Sequence, residues 1–254
     1  MIRLPRTKRG IALTISGTLL VVIVGGFLLV YFVVFPTSSP KPFSLSSANP
    51  SGSSAAAGTS ATSSTAAGSV SKGTSFAGAW QIASGSEAGY RVREKLAFLP
   101  AESDAVGRTS QMSGHATFAQ SGEVVSITAA SFTVDVATLK SDRSMRDEKI
   151  HEIGLESSRY PNATFALSSP VVLPAQALTG KVVHVHVTGI FNIHGTSKTE
   201  TLPLELSLSD SLVQAVGSLT FPWGEFNMTA PSVGGFVNVT EKATMEFDLH
   251  LQRA

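Results

Sequence analysis

The stretch VHVHVTGIFNIHGTSKTETLPLELSL, residues Val183–Leu208, decides the fold of this chain. Apolar and polar residues alternate along both of its halves. Successive side chains of a β-strand point to opposite faces, so a period of two is typical of a strand with one sheltered face. The sheltered faces are Val183, Val185, Val187, Phe191 and Ile193 in the first half, and Leu202, Leu204, Leu206 and Leu208 in the second. The turn residues His194-Gly195-Thr196 separate the two predicted strands.

The same alternation returns near the end of the chain, at Thr244–Leu251. There we expect Glu246, Asp248 and His250 on the wet face, opposite the apolar residues at 245, 247, 249 and 251. Less regular apolar stretches provide six further candidate strands. They are Tyr90–Leu99, Gly114–Ala119, Val124–Val136, Ala163–Leu173, Leu212–Phe221 and Gly235–Val239.

One stretch, Ser144–Leu155, is instead rich in helix-forming residues, with Ser144 as the expected N-cap. Asp147 and Glu148 stand near the positive end of this helix. Many antiparallel strands with one short helix favour an all-β sandwich or barrel, and closure into a barrel leaves no free edges. We therefore predict an antiparallel β-barrel of about eight strands, a size that encloses packed side chains or one small ligand.

The N-terminal part of the chain is typical of a membrane anchor. Residues 11–35 contain no charge in 25 positions, and as a helix they would span about 37 Å, enough to cross a bilayer. A cleaved signal peptide is the alternative, but its apolar region is usually shorter. Four basic residues within positions 1–10 predict a cytoplasmic N-terminus and an extracytoplasmic remainder.

Residues 36–75 are almost wholly Pro, Ser, Ala, Gly and Thr, which predicts a disordered tether with a reach of roughly 35 Å. The remaining residues, 76–254, are numerous enough for one folded domain. This domain has 13 basic and 18 acidic residues, a net charge of −5, which argues against a nucleic-acid-binding protein. The absence of cysteine excludes disulfides and thiolate chemistry.

Four stretches in order resemble the YceI-like family. RYPNATF (Arg159–Phe165) is similar to its tyrosine-proline signature, and Arg146-Asp147 with Ile150 resembles its arginine-aspartate helix. Val187–Leu206 and the closing stretch VNVTEKATMEFDLHLQ are similar to two further segments of the family. The chain departs from the family's pattern at Gly85–Glu94 and at FPWGEFNM (Phe221–Met228).

The resemblance implies an extended, lipocalin-like barrel with an apolar interior that holds a polyisoprenoid or a similar amphiphile. No cofactor is expected beyond such a bound isoprenoid or quinone-type lipid. The sequence does not indicate a protein partner. From strands with firm alternation or a match to the family, we predict ten ligand-binding residues. They are Phe165, Leu167, Val185, Val187, Phe191, Leu204, Leu206, Met245, Phe247 and Leu249.

Alternatives to lipid binding rest on fewer features. His184 and His186 share one strand face, but that face lies opposite the apolar valines, so we expect both in solvent rather than on a metal. His194 is expected to fix its turn, and Arg146, Asp147, His151 and Glu152 to form a solvated helix surface with local ion pairs. An enzyme would need polar groups, such as these histidines, converging in a cavity. A filled barrel that binds a protein would show an exposed apolar patch around Phe221-Pro222-Trp223.

Overall fold

The computed structural model describes residues 39–45, 75–96, 102–232 and 237–254. The predicted cytoplasmic segment 1–10 and membrane helix 11–35 lie outside these residues, as does most of the predicted tether. Among the described residues, no helix combines the length and the hydropathy needed to cross a membrane.

Eleven strands and one α-helix make up the described part of the barrel domain. The helix α1 is Ser144–Lys149. The strands are β1 (Gly78–Ile82), β2 (Glu87–Leu96), β3 (Ser103–Thr109), β4 (Met112–Ser121), β5 (Val124–Asp135), β6 (Asn162–Leu167), β7 (Val171–Val172), β8 (Val183–Ile193), β9 (Thr196–Leu208), β10 (Val213–Pro222) and β11 (Val237–Arg253).

Eight of these strands form a closed ring in the order β1-β4-β5-β6-β8-β9-β10-β11, with every pairing antiparallel. The ring closes where β1 pairs with the end of β11, as in Trp80 opposite Arg253. The long strand β11 also pairs with β2, and β2 pairs with β3. The predicted all-β antiparallel barrel with one short helix is therefore confirmed.

Burial alternates along β8 and β9 as the alternation of apolar and polar residues predicts. Val183, Val185 and Val187 are buried, whereas His184 and His186 are exposed, as predicted. Two strands of the structure, β1 and β3, were not predicted. β3 shows no alternation because its central residues, 105–107, are buried in succession, so both of its faces are covered.

The predicted helix is shorter than expected and begins differently. After Lys149, residues Ile150–Gly154 continue as a π-helical turn. Arg143, not Ser144, is the N-cap residue, and it makes no side-chain capping bond. Asp147 satisfies a nearby backbone donor instead, because its carboxylate accepts from the Ser141 N–H at 2.8 Å.

The outer face of the barrel carries a buried carboxylate, that of Glu246. The prediction that Glu246 is exposed to solvent is therefore wrong. Glu246 is only 2% exposed. Its carboxylate accepts from Arg91 Nε at 3.2 Å and from Arg108 Nη2 at 3.0 Å. The two guanidinium groups cover the carboxylate, and neighbouring strands bring them there, so a pattern within β11 alone could not show it.

Residues 41–45, which we call the strap, pack on this outer wall although they lie within the predicted tether. The Leu45 N–H donates to Glu205 Oε2 at 2.7 Å, and Arg108 Nη2 donates to the Lys41 carbonyl at 2.7 Å. The Arg108 guanidinium also lies 3.8 Å from the centre of the Phe43 ring. Phe43 and Leu45 give the strap the apolar surface that the rest of the tether lacks, which offsets the entropy of ordering it.

The substitution Glu246→Ala tests the importance of the buried carboxylate. We expect it to lower the free energy of unfolding by about 2–3 kcal/mol, because two partly buried arginines lose a shared partner. Urea titration of the full chain, followed by the fluorescence of the buried Trp80 and Trp223, measures the change. Glu241→Ala, an exposed position on the same strand, is the matched control, with an expected change within about 0.5 kcal/mol. Equal effects of the two substitutions would contradict the assignment.

Candidate functional site

The barrel encloses an apolar cavity of about 170 Å³. Its walls come from the inward-facing side chains of the ring, from β2 and from the helical segment that follows β5. Three of the described lining residues carry hydroxyl groups, namely Tyr90, Thr164 and Thr244. The two threonine side chains point away from the interior, as the alternation along their strands requires. The hydroxyl-bearing side chain that faces inward from these three is therefore that of Tyr90.

The cavity is long and narrow. Its lining residues on β10 run from Val213 to Phe221, eight positions apart, which corresponds to about 26 Å of strand. With a strand tilt near 40°, this is roughly 20 Å along the barrel axis. A volume of about 170 Å³ distributed over such a length fits a chain-shaped molecule better than a compact one.

Nine of the ten predicted ligand-binding residues lie in the cavity wall: Phe165, Leu167, Val187, Phe191, Leu204, Leu206, Met245, Phe247 and Leu249. Val185, the tenth, is buried in the core and does not line the cavity. The structure thus brings nearly the whole set together on one surface. Their role in binding a ligand stays a prediction.

Four aromatic rings of the described interior lie over glycines of neighbouring strands, a feature that the sequence analysis missed. The pairs are Tyr90 on Gly107, Phe132 on Gly114, Phe165 on Gly189 and Phe247 on Gly217. A methyl group at Gly217 would meet the Phe247 ring at 2.6 Å. The absence of side chains at these glycines lets the rings lie flat against the wall, which leaves the centre open. Glycine at an inward position of a predicted strand, as at Gly189 and Gly217, is the sequence signal for this arrangement.

The stretch FPWGEFNM covers one region of the wall instead of forming an exposed patch. Phe221 and Trp223 are 4% and 5% exposed, and both line the cavity. The Trp223 indole Nε1 donates to the Thr240 carbonyl at 2.9 Å, and the ring of Phe221 packs on that of Phe226 at 4.8 Å. The surface that a filled, protein-binding barrel was expected to expose is therefore interior.

The segment between β5 and β6 covers another part of the cavity. Val136, Leu139, Ile150 and Leu155 place apolar side chains in the wall. β3 pairs with only one described strand, β2, and on its other side Arg108 exchanges backbone hydrogen bonds with Lys140 of this segment at 2.9 and 3.0 Å. The wall next to β3 is thus completed by a loop and a short helix.

The expectation of a solvated helix surface is only partly right. Lys149 and Glu152 do form a local ion pair at 2.9 Å. Arg146, however, reaches Glu94 of β2 at 2.6 Å, and both side chains are largely buried. His151 Nε2 lies 3.0 Å from the Leu139 carbonyl. These contacts hold the helical segment on the barrel.

Tyr90 of the cavity wall and Arg146 of α1 are both largely buried, and each has a side-chain hydrogen-bond partner. The Tyr90 hydroxyl interacts with the side chain of Ser141, and Arg146 pairs with Glu94. Burial raises the pKa of Tyr90 far above its ordinary value, although the positive charge of Arg146 opposes this shift. Burial lowers the pKa of Arg146, but the hydrogen bond and charge of Glu94 outweigh it and raise the pKa overall. At neutral pH both groups are therefore donors.

The histidines that an enzyme would need do not converge. His186 and His194 are eight positions apart on β8 and its turn, which corresponds to about 26 Å. His194 Nε2 contacts Glu156 at 2.7 Å, and its ring packs on that of Tyr160 at 4.3 Å. His194 thus joins the β8–β9 turn to the loop before β6. In the described ranges, no three metal-ligating side chains cluster.

Comparison with solved structures finds similar barrels at low sequence identity. A polyisoprenoid binding domain from Saccharophagus degradans, implicated in plant cell wall breakdown, aligns with a TM-score of 0.51 at 14% identity, covering 69% of this chain and 98% of that one. BcnA from Burkholderia cenocepacia aligns with a TM-score of 0.47 at 22% identity, covering 64% and 95%. The Campylobacter jejuni YceI protein gives 0.47 at 15% identity, covering 63% and 91%.

None of the curated proteins matches the sequence. The family comparison is more direct, because the description of the YceI-like domain matches residues 80–251, which include all eight strands of the ring except the start of β1 and the end of β11. This chain belongs to the YceI-like family.

Proposed function

We propose that this protein is a membrane-tethered, extracytoplasmic binding protein that holds the tail of an isoprenoid lipid inside its barrel. The long, narrow, apolar cavity carries this proposal. The name of the Saccharophagus degradans domain, a polyisoprenoid binding domain, supports the same class of ligand. Binding without chemistry is the function proposed for this site, because its lining is almost wholly apolar.

The energy of binding would come from apolar contact. Burial of a methylene group contributes about 0.8 kcal/mol, so each five-carbon isoprene unit would contribute roughly 4 kcal/mol before the entropic cost of confinement. A dry cavity of about 150 Å³ accommodates a benzene molecule. The present cavity is close to that volume, so a tail of several units requires the wall to widen. The covering segment between β5 and β6 is the natural place, because there the wall depends on a loop rather than on a continuous strand.

The predicted tether would keep the barrel near the bilayer, where a lipid tail can pass into it without a long path through water.

Native mass spectrometry of the full chain, released gently from its membrane, tests the ligand class. We expect a bound mass that lipid extraction identifies as an isoprenoid, because the cavity suits a branched hydrocarbon tail. An empty chain that takes up neither added quinones nor prenyl alcohols would overturn the proposal.

The substitution Gly217→Ala tests the cavity itself. Its methyl group would push the Phe247 ring inward, and we expect uptake of an added prenyl quinone to fall about tenfold, since overpacking costs about 1–3 kcal/mol. Gly189→Ala should act alike through Phe165 on another strand. Gly224→Ala is the matched control, because nothing lies within 4 Å of its added methyl group. Unchanged uptake by both folded cavity variants would show that ligand binds elsewhere.

Removal of residues 1–35 tests the anchor. The full chain should remain with the membrane pellet after a high-salt wash, because an apolar helix is not displaced by salt, whereas residues 36–254 should appear in the soluble fraction. Protease added to intact cells should degrade the barrel domain of the full chain. Protection from that protease would contradict the extracytoplasmic location, and a soluble full chain would contradict the anchor.

A further inference from the structure

Beside β3, a loop and a short helix replace a strand in the wall of the barrel. They belong to the covering segment, residues 136–161, which connects β5 to β6. We call the line between β3 and this segment the seam. Arg108 and Lys140 form an isolated β-bridge across the seam, with two backbone hydrogen bonds of 2.9 and 3.0 Å. The hydroxyl groups of Thr109 and Thr138, 2.6 Å apart, add a side-chain hydrogen bond.

Neighbouring strands of the ring are joined by continuous ladders instead. β8 pairs with β9 along all eleven of its residues, and even the shorter β6 pairs with β8 over four successive residues. A chain-shaped molecule that passes between two such strands must break the bonds of a ladder together, because the strands are held in one register. A passage at the seam breaks the bridge and one side-chain bond, and it leaves the ladders intact.

Both sides of the seam adjoin the apolar cavity. On one side, Leu139 precedes Lys140, and its side chain lines the cavity. On the other side, the ring of Tyr90 lies over Gly107, which precedes Arg108, and this ring also lines the cavity. A gap between Arg108 and Lys140 would therefore open directly onto apolar side chains.

We infer that the seam is a lateral portal through which the hydrocarbon tail of a lipid enters and leaves the cavity. This inference rests on the proposed function, since it gives the path of the lipid that the barrel holds. The tail passes from the side, between Arg108 and Lys140, while the strands stay paired. Because the seam closes again behind the tail, it sets the rates of uptake and release rather than the affinity.

β3 stays with the barrel when the seam opens. All seven residues of β3 pair with β2. On the outer wall, Arg108 Nη2 donates to the buried carboxylate of Glu246 at 3.0 Å and to the Lys41 carbonyl of the strap at 2.7 Å. These bonds fix the β3 side of the seam, so the covering segment is the part that moves.

The covering segment moves near its start, where Lys140 lies. Its middle and its end have separate attachments to the barrel. Arg146 pairs with Glu94 at 2.6 Å, and Glu156 contacts His194 at 2.7 Å. These contacts stay in place while the residues around Lys140 separate from β3.

A disulfide across the seam tests the portal. Thr109→Cys together with Thr138→Cys places two sulfur atoms where hydroxyl oxygens now lie 2.6 Å apart, close enough to bond. The natural chain has no cysteine, so the introduced pair meets no competing thiol of its own chain. The same preparation is measured before and after oxidation, and mass spectrometry confirms that the disulfide lies within one chain.

The probe is farnesol esterified with N-methylanthranilic acid, which accepts energy from tryptophan and does not react with thiols. Phosphatidylcholine vesicles that carry the probe are mixed with the full chain in nanodiscs, and energy transfer from Trp223 in the cavity wall reports its arrival. We expect oxidation to slow uptake and release about tenfold. The amount bound at equilibrium should change by less than about twofold, since both rates fall together.

Thr188→Cys together with Thr201→Cys is the matched control. The hydroxyl groups of these residues are 2.8 Å apart and join β8 to β9, which a continuous ladder already holds together. Oxidation of this pair should leave the rates of uptake and release unchanged.

Lys140→Pro tests the seam in the opposite direction. Proline lacks the N–H that donates to the Arg108 carbonyl, and Leu139 already has the extended backbone that a following proline requires. We expect uptake to be about threefold faster, the effect of one lost backbone hydrogen bond. Lys140→Ala keeps the N–H and removes only the exposed side chain, so it should keep the wild-type rate. An unchanged rate in Lys140→Pro would show that the bridge does not limit entry.

The outcomes separate the portal from the proposed function. If the wild type and the unoxidised variants take up no probe, the proposed function fails. If they take it up and the seam disulfide leaves the rates unchanged, the tail enters elsewhere and the lipid-binding function stands. Equal slowing by the control disulfide would also overturn the portal, because general stiffening of the barrel would then explain the effect. So would a loss of bound probe at equilibrium without a change in rate, since a portal does not alter affinity.

Discussion

The contact between aromatic rings and bare backbone sets the width of the cavity, and the site depends on it. A ring of eight strands leaves an interior that side chains can nearly fill. In this barrel, the rings of Tyr90, Phe132, Phe165 and Phe247 would be pushed toward the centre if the facing residues carried side chains. Because those residues are glycines, each ring lies against a neighbouring strand and the axis stays open. The cavity is thus surrounded by large aromatic residues, each of which packs against a glycine.

This arrangement explains why the sequence predicts the wall better than the space inside it. Alternation in β8, β9 and β11 is a local property, so it shows which residues face inward, and nine of the ten predicted residues do line the cavity. Val185 has the same alternation and is buried, but it does not line the cavity. Whether an inward residue lines a space or fills it depends on the strand opposite, and a single strand's pattern does not contain that information.

The polar residues were predicted less well for a related reason. Glu246 alternates like a solvent-facing residue, yet Arg91 and Arg108 from the adjacent β2 and β3 bury it. Arg146 does form the expected local ion pair, with Asp142, but it also pairs with Glu94, which is 52 positions away. Composition likewise assigns residues 41–45 to the disordered tether, although two apolar side chains and Arg108 are enough to hold the strap. Long-range pairing decides each of these cases.

Apolar walls and polar groups would contribute differently to ligand choice. An added or missing methylene group changes binding by only about 1–3 kcal/mol, so the cavity alone distinguishes tails of similar length poorly. A site built to form hydrogen bonds rejects a ligand without the partner much more strongly, because its own groups then stay unpaired. Tyr90 and Glu94 belong to Gly85–Glu94, one of the two stretches in which this chain departs from the pattern of its family. Under the proposed function, the common barrel would supply the affinity for hydrocarbon, and polar residues in these departures would be the place for selectivity.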